Sequence, residues 1–305
     1  MGRRRRGGRP INGWLVIDKD EGITSTAVVA AVRRLTQAQK VGHGGTLDPL
    51  ATGVLPIALG EATKTVPFVM DATKSYGFTV RFGEARDTDD SEGAVTATSP
   101  SRPETAAIAL ALERFRGTIL QVPPSYAAVK IDGERAYDLA RRGEEVVLAP
   151  RPVEIHALEL VDRPDADHAR FTMTCGKGAY VRAIARDLGR VLGCHGHVTA
   201  LRRSSVGCFA VEDGITLDVL EQMVGNDTLL QTLVPLSTAL ADIPALAVTE
   251  PQAQRLRAGQ AIRAAARLLQ GEREADTIRV QLAGEVVALA RFDGEWVSPL
   301  RVFNL

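Results

Sequence analysis

The sequence has few cysteines, few aromatic residues and no excess charge of either sign. Its three cysteines among 305 residues, Cys175, Cys194 and Cys208, are too few for a disulfide scaffold and are typical of a reducing compartment. The 37 basic residues equal the 37 acidic residues, so a nucleic-acid function must depend on local basic patches. We therefore expect a cytoplasmic globular protein, with enough chain for about two domains.

Long hydrophobic runs are also missing. The uncharged stretch from Pro49 to Gly60 is broken by a glycine and a proline and is too short to cross a bilayer. The first nine residues contain five arginines with no apolar segment behind them, which is not the pattern of a secretory signal. We expect residues 1–10 to form a disordered basic tail able to touch phosphate, and we expect no association with a membrane.

The hydrophobic pattern changes between strand and helix without a regular strand–helix–strand repeat, which favours an α+β core. "GWLVIDK" and "SYGFTVRFG" read as strands, while 104–117 and the segment from Tyr180 to Gly193 read as helices. Residues 277–303 alternate in short runs with turns at Ala283-Gly284 and Asp293-Gly294, which indicates a small β-barrel-like module. We therefore divide the chain into 11–244 and 245–305 after the basic tail.

The stretch "GHGGTLDPLATGVLPIALGEATK", residues 42–64, places one acid, Asp48, among small and apolar neighbours. The following proline holds Asp48 in an extended backbone conformation. A turn aspartate that bonds its own loop is the ordinary alternative. The glycines around Asp48 indicate a loop that something large approaches closely, which favours a functional carboxylate. The reaction stays open at this point.

A buried carboxylate needs a cation from elsewhere in the chain. Arg182, in the first turn of the helix after "KGAY", is one candidate, and a solvated stripe with Arg186 and Arg190 is an equal alternative. Arg202 and Arg203 add a second basic pair. These arginines together suggest either a solvated face or a groove that follows phosphates.

Two clusters resemble metal sites but lack the required spacing. In the acidic loop that starts at Asp87, the sixth position is Glu92 instead of glycine and the twelfth is Thr98 instead of glutamate, which argues against calcium. The second cluster has no C-x-x-C pair, which argues against zinc; its members are Cys194, His195, His197 and Cys208. We expect no metal site.

Nearly the whole chain resembles the family of bacterial tRNA pseudouridine-55 synthases, the TruB type. The segments that carry the resemblance are "GHGGTLDPLATGVLPIALGEATK", "KSYGFTVRFGEARDTDDSEG", "QVPPSYAAVKIDGERAYDLARRG", "CGKGAYVRAIARDLG" and "HVTALRRSSVG". The resemblance implies a mixed, mainly antiparallel central sheet flanked by helices, followed by a small RNA-binding PUA domain.

The resemblance also implies roles for individual residues. Asp48 would be the nucleophile, Arg182 would pair with it, and Asp90 would join that network. Tyr76 would stack on the target uracil and is a candidate proton acceptor. The other substrate-binding residues implied are His43, Lys19, Tyr180, Leu201 and Arg202. Arg86 departs from the family pattern, in which threonine is usual, and we expect a local change in contact with the RNA loop.

The implied reaction converts uridine 55 in the T-loop of tRNA to pseudouridine. The base is flipped out, its N-glycosidic bond is cleaved with the help of the aspartate, and the ring is rejoined through C5. Substrate and product are isomers, so we expect no cofactor. We expect tRNA as the partner, no obligate protein partner and a monomer.

Two other functions are compatible with parts of the sequence. An RNA-binding and tRNA-folding factor would use the basic surface and the C-terminal module, with catalysis secondary. A retaining glycosidase would also use a carboxylate at C1′ but needs a second one, for which only Asp90 is available. The glycosidase is the weaker alternative, because Asp90 is already assigned to the arginine network.

Overall fold

The computed structural model describes residues 7–127, 129–131, 134–135, 142, 146–263 and 275–305. Residues 1–6 of the predicted basic tail lie outside these ranges, as does much of the motif "QVPPSYAAVKIDGERAYDLARRG".

The described residues contain six α-helices, one of which lies in the helical segment predicted from Tyr180 to Gly193. The side chain of Thr24 accepts a hydrogen bond from the Ala27 N–H and caps the first helix, which ends before Gln37 in a left-handed conformation. The helices are α1 Ser25–Thr36, α2 Val66–Asp71, α3 Thr105–Leu112, α4 Val181–Val191, α5 Leu217–Gly225 and α6 Glu250–Arg257.

The helix predicted for residues 104–117 is shorter than expected. Its α-helical part, α3, ends at Leu112 and continues as a 3-10 turn over Glu113–Phe115. Gly117, with φ at 76°, starts the next strand instead of closing the helix. The glycine that suggested a helix C-terminus therefore serves the turn into that strand.

A nine-stranded sheet forms the centre of residues 11–210, with the order β1-β3-β12-β4-β11-β10-β7 and with β2 and β13 attached to β3 and β12. All its pairings are antiparallel except the parallel contact of β12 with β3. Its strands are β1 Gly13–Lys19, β2 Val41–His43, β3 Thr52–Leu59, β4 Lys74–Phe82, β7 Gly117–Gln121, β10 Arg151–Asp162, β11 His168–Cys175, β12 Gly196–Val206 and β13 Phe209–Ala210.

Two short hairpins and a second sheet complete the fold. The hairpins pair β5 Glu84–Arg86 with β6 Val95–Thr98, and β8 Lys130–Ile131 with β9 Glu134–Arg135. The five-stranded C-terminal sheet has the order β14-β16-β17-β18-β15. Its strands are β14 Ala245–Ala247, β15 Ile262–Arg263, β16 Ala275–Leu282, β17 Glu285–Phe292 and β18 Trp296–Val302. The predicted α+β class and the small C-terminal β-module are confirmed.

The central sheet is buried on both faces near β1 and β3. One face carries the main core, in which Leu15 and Ile17 pack with Val28 and Val32 of α1. The other face carries a second cluster around Trp14, into which the C-terminal segment inserts Phe303. The C-terminal sheet also has its own core around Ile278 and Val297. The chain end is thus packed directly against the sheet that presents the site described below.

Candidate active site

Asp48 lies on the loop between β2 and β3, and buried side chains hold that loop on both sides. Ser25 at the start of α1 donates its hydroxyl to the Leu47 carbonyl and accepts from the Leu47 N–H, at 2.9 and 2.8 Å. The Lys19 ammonium, buried at the end of β1, donates to the Pro49 carbonyl at 3.0 Å. The two residues that flank Asp48 are therefore fixed, which limits where its carboxylate can point.

Asp48 forms an ion pair with Arg182. Arg182 Nε lies 2.8 Å from Asp48 Oδ2, and the Arg182 side chain is 5% exposed while that of Asp48 is 34% exposed. The carboxylate thus has a buried cation on one side and an opening on the other. Such a carboxylate remains accessible to a ligand without losing its charge partner.

Arg182 is itself held by three further groups. Nη1 donates to the Thr88 carbonyl and Nη2 to the Tyr126 carbonyl, each at 2.9 Å. Nη1 also lies 3.5 Å from Asp90 Oδ2, a buried carboxylate that accepts from Thr88 Oγ1. The structure therefore brings Asp48, Arg182 and Asp90 together, as the sequence resemblance implies.

The entry into α4 places Arg182. Its N-terminal residue Tyr180 supplies no side-chain cap, but the buried Gln121 at the end of β7 takes that place. The Gln121 amide accepts from the Tyr180 N–H at 2.8 Å and donates to the Tyr180 carbonyl at 3.1 Å. A side chain distant in sequence therefore satisfies a helix terminus that would otherwise carry unpaired backbone groups.

A cavity of about 270 Å³ opens beside the Asp48 carboxylate. Its wall contains Asp48, Met70, Lys74, Tyr76, Leu201 and Arg203, together with residues 45–47 and 178–182. Tyr76 comes from β4 and Leu201 from β12, which are paired strands of the central sheet. The cavity therefore forms where the Asp48 loop, the sheet and the start of α4 meet.

Burial raises the pKa of Tyr76 above its usual value, and the nearby Arg203 guanidinium opposes that rise. The phenol is consequently protonated at neutral pH. A phenol in this state can stack and donate a hydrogen bond, but its phenolate is too scarce for simple base catalysis.

Besides Asp90, three predicted residues do not line the cavity. Lys19 lies beneath the loop, where burial lowers its pKa. His43 on β2 accepts a hydrogen bond from the Gly45 N–H through Nδ1 at 3.3 Å, and burial lowers its pKa too. Arg202 forms a two-point ion pair with Asp18, with Nη2 at 2.7 Å from Oδ2.

The idea of one solvated arginine face is wrong for three of its members. Arg182 and Arg203 are buried, and the side chain of Arg186 is only 12% exposed because it pairs with Asp89 at 3.0 Å. Arg190 and Arg202 remain open, at 65% and 47% exposure. Arg182 and Arg186 on α4 face the acidic loop 87–90, which sequence spacing alone did not show.

The acidic loop binds arginines in the structure. Asp89, with φ at 61°, pairs with Arg186. Burial raises the pKa of Asp89 to about 6, and the opposing effect of Arg186 does not cancel it. Arg86, the departure from the family pattern, donates to the Ser91 and Gly93 carbonyls at 3.2 and 2.9 Å and so closes this loop. Arg86 therefore supports the segment that carries Asp90.

Sequence reasoning missed Lys74 as a wall residue and assigned Arg203 to the surface. The Lys74 ammonium donates to the Met70 and Ala72 carbonyls at 2.6 and 2.5 Å, and burial lowers its pKa to about 8. Lys74 precedes Tyr76 by two positions on one strand, so both side chains share a face. That spacing was the available signal.

Within the described ranges, no three His, Cys, Asp or Glu side chains are grouped as a metal site would require. No α-helix in those ranges combines the length and apolar character needed to cross a membrane.

The family comparisons agree with this arrangement. The model for "TruB family pseudouridylate synthase (N terminal domain)" matches residues 33–181, and that for the "tRNA pseudouridylate synthase B C-terminal domain" matches 182–241. The chain is 57% identical over 310 residues to tRNA pseudouridine synthase B of Bradyrhizobium diazoefficiens, an alignment that covers 99% of this chain and 88% of that protein. The chain belongs to the TruB family of pseudouridine synthases.

A second relative supports the same family, and two solved structures support the fold. Over 305 residues the chain is 52% identical to tRNA pseudouridine synthase B of Cereibacter sphaeroides, covering all of both proteins. It superposes with a TM-score of 0.74 on the archaeal box H/ACA sRNP Nop10–Cbf5 complex, at 21% identity over 99% of this chain and 93% of that one. An H/ACA RNP bound to a substrate RNA containing 2′-deoxyuridine gives the same TM-score at 22% identity, over 100% and 92% of the two chains. At these identities the solved structures support the fold.

Proposed function

We propose that this TruB-family protein converts uridine 55 in the T-loop of tRNA to pseudouridine. The observation that supports this most directly is the half-open Asp48 carboxylate, paired with buried Arg182 at the edge of a cavity of about 270 Å³. The names of its relatives, tRNA pseudouridine synthase B, support tRNA as the substrate class.

In this proposal Asp48 is the nucleophile. A uridine turned out of its loop enters the cavity, and the carboxylate attacks the nucleoside so that the bond from C1′ to N1 breaks. The detached uracil rotates inside the cavity and rejoins the ribose through C5, which releases the carboxylate. The C5 proton then leaves and N1 takes up a proton, so the product is an isomer of the substrate. Arg182 keeps the carboxylate oriented toward the opening throughout, and the surrounding wall prevents the free base from escaping.

Tyr76 receives the extruded base. Turning a base out of its stack costs a few kcal/mol, and stacking on an aromatic side chain returns about 1–3 kcal/mol. The raised pKa of Tyr76 favours a role in stacking and hydrogen bonding over one as a phenolate base. Tyr180 and Leu201 complete the apolar part of the wall.

The remaining assignments concern binding and cellular context. His43, next to the Asp48 loop, supports the RNA loop once its base has left. Arg202 contributes to RNA binding beside its ion pair with Asp18, while Lys19 fixes the floor and Asp90 holds Arg182. Residues 245–305 act as a PUA-like RNA-binding domain after a catalytic domain spanning 11–244. The protein works as a cytoplasmic monomer without an obligate protein partner.

The decisive test is incubation of the purified protein with unmodified tRNA, followed by mapping of pseudouridine at each position. The proposal expects product at position 55 and none with tRNA that carries cytidine there. Asp48→Asn should give no product while retaining tRNA affinity. Asp218→Asn, an exposed position on α5, is the matched control and should behave like the unaltered protein.

The same experiment separates this function from an RNA-folding factor. If Asp48→Asn still promotes tRNA folding and the unaltered protein yields no pseudouridine, the folding function is correct and the isomerase function is wrong.

A further inference from the structure

Arg203 is a buried cation without a carboxylate in contact. Arg203 is 1% exposed, and no carboxylate in the described part of the chain forms an ion pair with it. Burial lowers its pKa, with weaker opposing effects from Tyr76 and then Asp48. A guanidinium taken out of water costs several kcal/mol unless its donors are satisfied, so the contacts of Arg203 indicate what it holds in place.

The guanidinium of Arg203 binds the backbone of the Asp48 loop. Nη2 donates to the Gly45 carbonyl at 3.0 Å and Nη1 to the Thr46 carbonyl at 3.3 Å. Nε donates to the Val54 carbonyl on β3 at 2.8 Å. One side chain therefore joins the residues before Asp48 to the strand that follows it.

The same guanidinium reaches Tyr76. Arg203 is opposite Tyr76 in the antiparallel register of β12 and β4, so the two side chains are cross-strand neighbours on one face of the sheet. Both residues belong to the wall of the cavity. Arg203 thus contacts the two elements that carry the proposed nucleophile and the proposed stacking residue.

Gly53 allows Arg203 to take this position. It pairs with Arg203 across the parallel contact of β3 and β12 and has φ at 97°. A Cβ at Gly53 would lie 2.2 Å from the Arg203 carbonyl oxygen, which is a clash with backbone. The glycine therefore permits the close approach of the two strands that brings the guanidinium under the loop.

We propose that Arg203 is a positioning residue. It holds the Tyr76 hydroxyl and the Asp48 loop in fixed positions relative to each other. This inference rests on the proposed isomerisation. Asp48 and Tyr76 come from different parts of the fold, and Arg203 both bonds the loop that carries Asp48 and lies opposite Tyr76 on the neighbouring strand. A lysine at this position keeps the charge but replaces the planar fork by a single ammonium, which cannot hold the same carbonyls and the hydroxyl together.

The first experiment compares single-turnover rates of Arg203→Lys, Tyr76→Phe and the double variant on unmodified tRNA. Misplacing a reacting group can cost about 100-fold in rate. We expect Arg203→Lys to slow product formation about 10- to 100-fold, with tRNA affinity changed less than about threefold. Because Arg203 acts partly through the Tyr76 hydroxyl, Arg203→Lys should slow the Tyr76→Phe protein less than it slows the unaltered protein. The factor by which the rate falls should be at least about fivefold smaller.

Arg116→Lys is the matched control, since Arg116 also donates to a backbone carbonyl, that of Leu158, away from the cavity. This variant should retain the full rate. The inference would be overturned if Arg203→Lys slowed the reaction by the same factor in the unaltered protein and in the Tyr76→Phe protein. An unchanged rate in Arg203→Lys would overturn it as well. If the unaltered protein itself gives no pseudouridine, the proposed function fails first and this inference fails with it.

A second measurement leaves Arg203 unchanged and so does not depend on how its variants fold. The Nε–H of Arg203 is shielded from solvent and gives a slowly exchanging signal in proton–nitrogen NMR spectra. Tyr76→Phe should shift that signal, while Tyr180→Phe should leave it in place. An unmoved signal in Tyr76→Phe would show that the hydroxyl and the guanidinium are not coupled, and would overturn the inference.

Discussion

Arg182 Nε lies 2.8 Å from Asp48 Oδ2, and the same guanidinium bonds the carbonyls of Thr88 and Tyr126. The ion pair is thus one contact of a side chain that also joins the acidic loop to the segment after β7. Changing Arg182 should affect the carboxylate and the two backbone segments together.

Arg182→Gln should reduce both turnover and stability. Removing one partner of a fully buried ion pair costs about 3–5 kcal/mol, and the cost should be smaller here because Asp48 is partly exposed. We expect the single-turnover rate to fall at least about 100-fold. Urea unfolding and rapid-quench kinetics measure the two effects. Arg190→Gln, on an exposed face of α4, is the control; a near-normal rate in Arg182→Gln would show that the pairing is not needed for catalysis.

Tyr76→Phe should separate stacking from the hydroxyl. The ring still stacks, so tRNA affinity should change less than about threefold, whereas Tyr76→Leu loses stacking worth about 1–3 kcal/mol. We expect the rate of Tyr76→Phe to fall about 10-fold or more because the proposed coupling of the hydroxyl to Arg203 is lost. Filter binding and single-turnover kinetics test both statements. An unaltered rate would limit Tyr76 to a stacking surface.

Stability should respond to the titration of Asp89. Burial raises the pKa of this carboxyl from 3.8 to about 6, so between these values the folded state binds more protons than the unfolded state. The contribution of Asp89 to stability is therefore present below pH 3.8 and is lost as the pH rises to about 6. At about 1.4 kcal/mol for each unit, the loss is of the order of 3 kcal/mol.

The measurement is the free energy of unfolding in urea from pH 4 to pH 7, for the unaltered protein and for Asp89→Asn. Asparagine does not titrate, so the free energy of unfolding of Asp89→Asn should rise relative to that of the unaltered protein as the pH rises. A difference that stays constant over this range contradicts the raised pKa. Asp87→Asn, an exposed position on the same loop, provides the comparison.

The open and buried arginines should have different effects on RNA binding. Arg190 is exposed, and its replacement by glutamine should lower the salt dependence of tRNA affinity by about one unit of slope if it meets a phosphate. Arg186 is occupied by Asp89 and by the Val122 carbonyl, so Arg186→Gln should reduce stability and leave the slope unchanged. Binding measured at several salt concentrations distinguishes them; a reduced slope for Arg186→Gln would contradict its structural assignment.

The C-terminal residues should stabilise the catalytic part of the molecule. Phe303 is buried in the cluster around Trp14, the Asn304 N–H donates to Glu61 at 2.8 Å and Lys64 donates to the Val302 carbonyl at 2.6 Å. Replacing a buried phenylalanine by alanine costs about 3–5 kcal/mol. Phe303→Ala should lower the unfolding midpoint clearly, and Leu300→Ala, which is exposed, should not. Equal midpoints would show that the terminal segment does not support the fold.

Sequence patterns predicted several elements well, because their signals are local. The strand that carries Tyr76, the helix that follows Tyr180 and the turn at Ala283-Gly284 depend on residues close in the chain. The partner of the Asp48 carboxylate was left open by spacing alone and was supplied by the resemblance.

The errors at Arg186 and Arg203 have the same origin. Their environment depends on which distant strand or loop packs against them, and spacing in the sequence does not contain that information. Arg203 reads as surface because it follows Arg202, but alternate residues of a strand face opposite sides of the sheet. The structure places Arg202 beside Asp18 and Arg203 beneath the Asp48 loop.

The cavity is lined by residues of strands that are neighbours in the sheet but far apart in the chain. β12 is the last of them to be synthesised, and it supplies both Leu201 and Arg203 while lying between β3 and β4. Contacts of such long sequence separation form slowly, because a large loop must close before they stabilise anything. A polypeptide emerging from the ribosome thus has an incomplete pocket until β12 inserts, and its capacity to modify RNA arises in one late step.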